Sequence, residues 1–524
     1  MVGGIDVLTK SSADATRSPV VETAAGRVAG VTSAGVHIFK GIPYGAPTGG
    51  ANRFQPPRKP APWTGTRDAI AYAGRSPQAP AAPQRPELAT VWGPVDTLPV
   101  GEDCLTLHVW TPGLDNTRRP VMVWLHGGAF SYGSANSPRY DASNLARRND
   151  VVVVAVNHRL NVFGHLDLSA VGGERFAQSG NVGLLDLVAA LEWVREHAPR
   201  FGGDPGNVTI LGQSGGGGKV SALLAMPPAQ GLFHKAIVQS GASVRFAEPE
   251  RTTRLAEAVL QHLGLRPDQI DALQALPLAR LQEAVVPAQA TLPRPRLPLL
   301  DRYNFGPVID GNLLRAHPFD PAAPAISDHV PVMVGDTKDE AAIFLAPDDA
   351  VWNRTVTEDD LAKRITAVAG DVTRELLAYY KRSAPTASPS DRLITALTAS
   401  NFGVRSIVLA ERKAARRKAP VWAYDFAWET PAFGGRLKSC HSVEVPFVFD
   451  TLHVIGAAHR RAGDQALADR VSRTWAEFAR NGRAPWPAYT EAQRATMVFD
   501  DTCRVVDDPD GDVRKLWIQA ATGP

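Results

Sequence analysis

"NVGLLDLVAALEWVREHAPRFGGDPGNVTILGQSGGGGK", residues Asn181–Lys219, carries a helix signal, a strand signal and a glycine-lined turn in that order. Leu184, Leu187, Val188, Leu191 and Val194 recur at helical spacing and make one apolar stripe. "VTIL" (Val208–Leu211) is a short apolar run of the buried-strand type. A single hydroxyl, Ser214, follows among five glycines. Such a turn suits two chemistries: a cradle for phosphate, or a nucleophile around which space must be cleared.

The phosphate loop requires Gly, four residues, then Gly-Lys-[Ser/Thr]. Counting back from Lys219, Gly218 fits, but Gln213 stands where the first glycine belongs and Val220 where the magnesium-binding hydroxyl belongs. The nucleophile reading fits better. Gly212-Gln213-Ser214-Gly215-Gly216 matches G-x-S-x-G, after a strand and before the helical stretch "KVSALLAMP" (Lys219–Pro227). A serine on so sharp a turn has a strained backbone and needs small neighbours on both sides.

Working outward, "VMVWL" (Val121–Leu125), "VVVVAVN" (Val151–Asn157), "KAIVQ" (Lys235–Gln239), "VPVMVG" (Val330–Gly335) and "VWAYDF" (Val421–Phe426) read as further buried strands. "ALADRVSRTWAEFARNG" (Ala466–Gly482) reads as a helix closed by its glycine. Strands alternating with helices predict an α/β fold: a large, mostly parallel, doubly wound sheet with helices on both faces. Residues 75–100 are Pro- and Ala-rich and read as a long irregular loop. Residues 250–300 read as short helices leading to the Pro-rich "PRPRLPLL" (Pro293–Leu300). The expected layout is an N-terminal tail (1–20) and one catalytic domain (21–524) with cap insertions at about 245–300 and 345–420.

Composition limits what this fold serves. The 56 basic and 53 acidic residues nearly cancel, to +3, which argues against a nucleic-acid or membrane-surface role. No apolar run in the sequence approaches the roughly 18 residues of a membrane span. The start, "MVGGIDVLTKSSADATRSPVV", has neither the basic nor the apolar region of a secretory signal. Cys104, Cys440 and Cys503 are odd in number and far apart, with neither a disulfide pattern nor zinc spacing. A cytoplasmic location is the expectation.

A serine nucleophile needs an oxyanion hole, and "VWLHGGAFSYG" (Val123–Gly133) places His126-Gly127-Gly128 directly after an early strand. Gly127 and Gly128, with Gly215 after the nucleophile, are the candidate amide donors. Losing one such donor typically removes ~3 kcal/mol of transition-state stabilisation. The alternative is an ordinary Gly-Gly turn.

With these residues in place, the chain resembles the type-B carboxylesterase family, the α/β-hydrolases that include bacterial para-nitrobenzyl esterases and cholinesterases. The resemblance runs from "GRVAGV" (Gly26–Val31) to "WPAY" (Trp486–Tyr489). It includes "FKGIPYGAP" (Phe39–Pro47), "GEDCLTLHVWTP" (Gly101–Pro112), "NHRLNVFG" (Asn157–Gly164), the long run through "FGGDPGNVT" and "FGPVIDGNLL" (Phe305–Leu314). The resemblance implies the α/β-hydrolase fold and supplies the rest of a triad. Its acid falls in "GDTKDEAAIFL" (Gly335–Leu345) at Glu340, with Asp336 and Asp339 as nearby competitors. Its histidine falls in "CHSVEVPFVF" (Cys440–Phe449) at His441. Ser240 matches a family serine that supports the triad, and its alternative is a strand-end turn residue. Arg53 with Glu102, and Arg159 with Asp186, fall where the family places buried ion pairs.

The implied function is hydrolysis of carboxylic esters through an acyl-enzyme, acting on a small-molecule ester and water, with no metal or organic cofactor and no nucleic-acid or membrane partner. Amide or carbamate hydrolysis at the same triad is the alternative, and a non-catalytic binding protein of the same fold a more distant one. A monomer or homodimer is expected. The chain departs from the family's usual Glu-Ser-Ala elbow, having Gln213 and Gly215. Cys104 also lacks the upstream partner that secreted members have. His126 is expected to shape the oxyanion loop. Phe130, Tyr132, Trp92 and Phe402 are candidate pocket walls or plain core residues, and Cys440 beside His441 reads as a buried bystander.

Overall fold

A computed structural model of the chain describes residues 16–79, 85, 87–88, 91, 96–292, 305–456, 459–509 and 511–522. The Pro-rich run 293–300, Trp92 and parts of the 75–100 segment lie outside the described residues.

Twelve strands form the main sheet: β1 (Thr16–Arg17), β2 (Val31–Ser33), β3 (Val36–Pro43), β4 (Thr106–Thr111), β5 (Arg119–Leu125), β6 (Val152–Val156), β7 (Gly203–Gln213), β8 (Lys235–Gln239), β9 (Val332–Thr337), β10 (Val421–Phe426), β11 (Ala495–Phe499) and β12 (Arg504–Asp507). Their spatial order is β1-β2-β3-β4-β6-β5-β7-β8-β9-β10-β11-β12. From β6 through β11 every neighbouring pair is parallel, while β1 to β4, the β4–β6 pair and the β11–β12 pair are antiparallel. The sheet is therefore parallel at its centre, as the alternating sequence pattern predicts, and antiparallel at its edges, which that pattern does not show. The antiparallel strands are shorter or less uniformly apolar, so they carry a weaker sequence signal.

Central strands read as unbroken apolar runs because both sheet faces are covered. The two-residue period then sorts their side chains. Met122, Trp124, Val153, Ala155, Leu211, Ile237 and Met333 enter one core. Val121, Val123, Leu125, Val152, Val154, Val156, Ile210, Val238 and Val334 enter the other. Helix α1 (Val182–His197) lays its predicted stripe, Leu184, Leu187, Val188, Leu191 and Val194, on the second face. On the opposite face lies the long helix Asp464–Asn481, through Leu467, Val471, Trp475 and Phe478. A third cluster joins Phe54 and Phe163 to the helices Pro249–Leu263 and Leu278–Ala290, through Leu255, Val259 and Leu281.

The continuous helical stretch Pro389–Ala415 is long and apolar enough to cross a membrane by length and composition, yet 67% of its most apolar window is buried inside the protein. Leu393, Ile394 and Val404 of that stretch belong to the first core. A π-helical turn, Ala399–Gly403, interrupts it. The two ion pairs form as well. Arg53 grips Glu102 at 2.7 and 2.8 Å, and Arg159 grips Asp186 at 2.8 and 2.6 Å.

The strand order locates the crevice. From β5 the chain crosses to β6 on one side, whereas from β7 it crosses to β8 on the other. Open α/β sheets leave a cleft at such a switch point, outside the carboxyl ends of the strands. Here those ends lead into His126-Gly127-Gly128 and into Ser214.

Candidate active site

Ser214 turns the chain from β7 into helix α2 (Gly215–Ala225) with φ 59° and ψ −125°, a conformation that non-glycine residues rarely adopt. Its N–H donates to Gln239 O at 2.8 Å, and its own carbonyl accepts from Gly218 N–H at 3.1 Å. The helix begins at Gly215, four residues before the stretch that reads as helical in the sequence, so the glycine run is its first turn. Each helical glycine costs about 1 kcal/mol against alanine. Burial of Val220, Leu223 and Leu224 offsets this, at roughly 1.5–3 kcal/mol per side chain.

Two of the glycines are needed for close approach. A Cβ on Gly216 would overlap the carbonyl of Leu125 at the end of β5. A Cβ on Gly215 would overlap the backbone nitrogen of Ala129 in the loop after β5. That loop therefore lies directly on the elbow, and a Cβ on Gly127 would sit 3.4 Å from Ser214 Cβ. Among the described residues the N–H groups of Gly127, Gly128 and Gly215 donate to no other protein group. The loop is folded tightly by hydrogen bonds from the Ser131 and Tyr132 N–H groups to Gly128 O, at 2.8 and 3.1 Å. His126 braces it, its Nδ1 donating to Gly127 O at 2.8 Å, with its ring stacked on His158 at 4.8 Å.

Glu340 follows β9 and is fully buried. The Thr337 N–H donates to its Oε1 at 2.8 Å, and its Oε2 contacts His441 Nδ1. The neighbouring acids are occupied differently. Asp339 accepts from the Ser439 N–H at 3.4 Å and lies near Lys338. Asp336 lines a separate cavity of about 220 Å³ with Thr337, Ser406 and Tyr424, a cavity that includes neither Ser214 nor His441.

With Nδ1–H directed at the carboxylate, His441 Nε2 is an acceptor. Its hydrogen-bond partner is the side-chain amide of Gln213, which donates at 3.2 Å; Ser214 Oγ makes no hydrogen bond to it. Catalytic hydrogen bonds of this kind are often loose until substrate binds. Two aromatic rings flank the imidazole, Phe402 at 5.1 Å and Phe344 at 5.0 Å, and they stack on each other at 5.9 Å. Phe130 packs edge-on against His165 and Phe246. Phe344 escapes sequence reasoning because its periodicity on a short helix matches an ordinary core residue.

Ser240 follows β8 with φ 49°, and its N–H donates to Gly335 O at 2.8 Å. Among the described residues its buried Oγ has no hydrogen-bond partner, neither Ser214, Glu340 nor His441. Behind the site, the buried Glu444 accepts from Gln239 Nε2 at 3.1 Å. Burial, then the charge of Glu340, pushes the Glu444 carboxyl up to about 7. Cys440 is fully buried, and burial raises its thiol well above the ordinary range. Among the described residues no three His, Cys, Asp or Glu side chains converge as metal ligands.

Comparison with known proteins matches residues 17–511 to the Carboxylesterase family. The para-nitrobenzyl esterase of Bacillus subtilis is 35% identical over 95% of this chain and 98% of its own. The phenmedipham hydrolase of Pseudarthrobacter oxydans is 33% identical over 92% of this chain and 95% of its own. Among solved structures, a Geobacillus stearothermophilus carboxylesterase superposes with a TM-score of 0.81 at 37% identity, covering 95% of this chain and 99% of that one.

Proposed function

The chain belongs to the carboxylesterase family, whose serine hydrolases cleave carboxylic esters, and we propose that Ser214, His441 and Glu340 carry that reaction here. The observation that supports this reading most strongly is the contact of Glu340 Oε2 with His441 Nδ1 above the strained serine turn. It holds the imidazole with its Nε2 lone pair free of a proton, ready to take one. In the proposed cycle, Ser214 Oγ attacks the acyl carbonyl while its proton passes to His441 Nε2. Glu340 stabilises the resulting imidazolium, and the Gly127, Gly128 and Gly215 amides receive the oxyanion. His441 then protonates the departing alcohol, and water cleaves the acyl-enzyme by the same route.

The aromatic pair Phe344 and Phe402 beside the imidazole supports short- to medium-chain or aromatic esters as substrates. Hydrolysis of p-nitrophenyl acetate tests the reading. Ser214→Ala is expected to lower kcat by roughly 10⁴-fold or more, and serine-independent turnover by the folded variant would overturn it. Rates on matched ester and anilide substrates then separate ester from amide specificity.

A further inference from the structure

Lys219 lies one turn into α2, against the loop that carries Gly127 and Gly128. Its side chain is fully buried. Among the described residues it forms no ion pair. Its hydrogen bond runs from Nζ to the carbonyl of His126 at 2.8 Å, and Nζ lies 5.5 Å from the centre of the Phe130 ring. Burying a cation without a carboxylate strongly destabilises a fold, and a methionine or leucine would fill the same space without that penalty. Burial accordingly pulls the amine down to about 7. Among the described residues the titratable groups facing it offer no negative charge. His126, His158 and His165 are each held below the ordinary histidine range, by burial first and with the charge of Lys219 adding to it.

The carbonyl of His126 and the N–H of Gly127 are the two ends of one planar peptide group. A donor on the carbonyl end fixes the plane of that peptide and polarises it, so that the N–H end becomes a stronger donor. We propose that Lys219 is a positioning residue of the oxyanion hole: through His126 O it orients and polarises the 126–127 peptide toward the charge that develops on the substrate oxygen. This role rests on the reading of Gly127 as an oxyanion donor. Because the charge exists only as the tetrahedral species forms, the effect belongs in kcat and not in KM.

Lys219→Met keeps the apolar stem and removes the donor and the charge. With p-nitrophenyl acetate, kcat should fall about tenfold or more, less than loss of a direct donor would cause, while KM stays within about twofold. Affinity for an aryl trifluoromethyl ketone should fall in parallel. Ser214 Oγ bonds to the ketone carbon, its proton passes to His441 and the carbonyl π pair settles on oxygen, so the adduct carries the same oxyanion. Thermal stability should be unchanged or higher, which a merely structural lysine would not give. If the Met variant does not fold, Lys219→Leu decides, with the same parallel losses expected. A folded variant with kcat within twofold of wild type, or with lowered kcat and undiminished ketone affinity, overturns the proposal. Ser214→Ala is the control: activity that survives it removes the site reading itself, whereas serine-dependent activity indifferent to position 219 removes only the role of Lys219.

Discussion

Gln213 precedes the proposed nucleophile, and its amide rests on the imidazole nitrogen proposed to accept the serine proton. An amide there is neutral. A carboxylate, the family's usual group, would favour the protonated imidazole. Gln213→Glu should therefore move the acid limb of the kcat/KM profile to higher pH, with the alkaline plateau largely kept. Initial rates between pH 5 and 9 read this, and an unmoved limb would mean that Gln213 does not face His441 in solution. The departure from the family pattern was visible in the sequence, but its meaning was not, because which side chain caps Nε2 depends on rotamers. In the sequence Lys219 fits only a failed phosphate loop and the head of a helical stretch. Only the fold shows that it is buried against His126.

At the level of elements, β8, the turn carrying His441 and the helix Asp464–Asn481 meet at one buried polar link. Gln239 ends β8, its amide donates to Glu444, and its Oε1 accepts from Trp475 Nε1 at 3.0 Å. Glu444 sits at about 7 in the fold against an unperturbed value of 4.5. Between those values the folded chain keeps a proton that the unfolded chain has released, so this group's contribution to stability declines as pH rises through that window. Below it both states hold the proton; above it the burial penalty is fully present. Glu444→Gln should match wild type in urea-unfolding free energy near pH 4 and exceed it at pH 8, by up to a few kcal/mol. A pH-independent difference would contradict this assignment of the charge.

Across the whole molecule, what was legible followed from period and glycine placement. The Val121, Val151, Val208, Lys235, Val330 and Val421 runs all lie in or overlap strands, because burial on both faces makes such runs continuous. The Leu184–Val194 stripe lies where a 3.6-residue period puts it. The early antiparallel strands and β11 give little periodic signal, being two to eight residues long and of mixed polarity. Among the site residues, the serine and the oxyanion glycines could be reasoned from local chemistry. Glu340 and His441 follow only from the family resemblance, for the contact between them spans 101 residues. No local pattern encodes that distance; the sheet order does.

Covalent capture tests the central claim most directly. After treatment with diethyl p-nitrophenyl phosphate, a serine nucleophile expels p-nitrophenolate and retains a diethylphosphoryl group, which peptide mapping by mass spectrometry locates. The account predicts stoichiometric labelling of the peptide containing Ser214, in step with the loss of esterase activity. Loss of activity with Ser214 unmodified, or with the label on another residue, would contradict it.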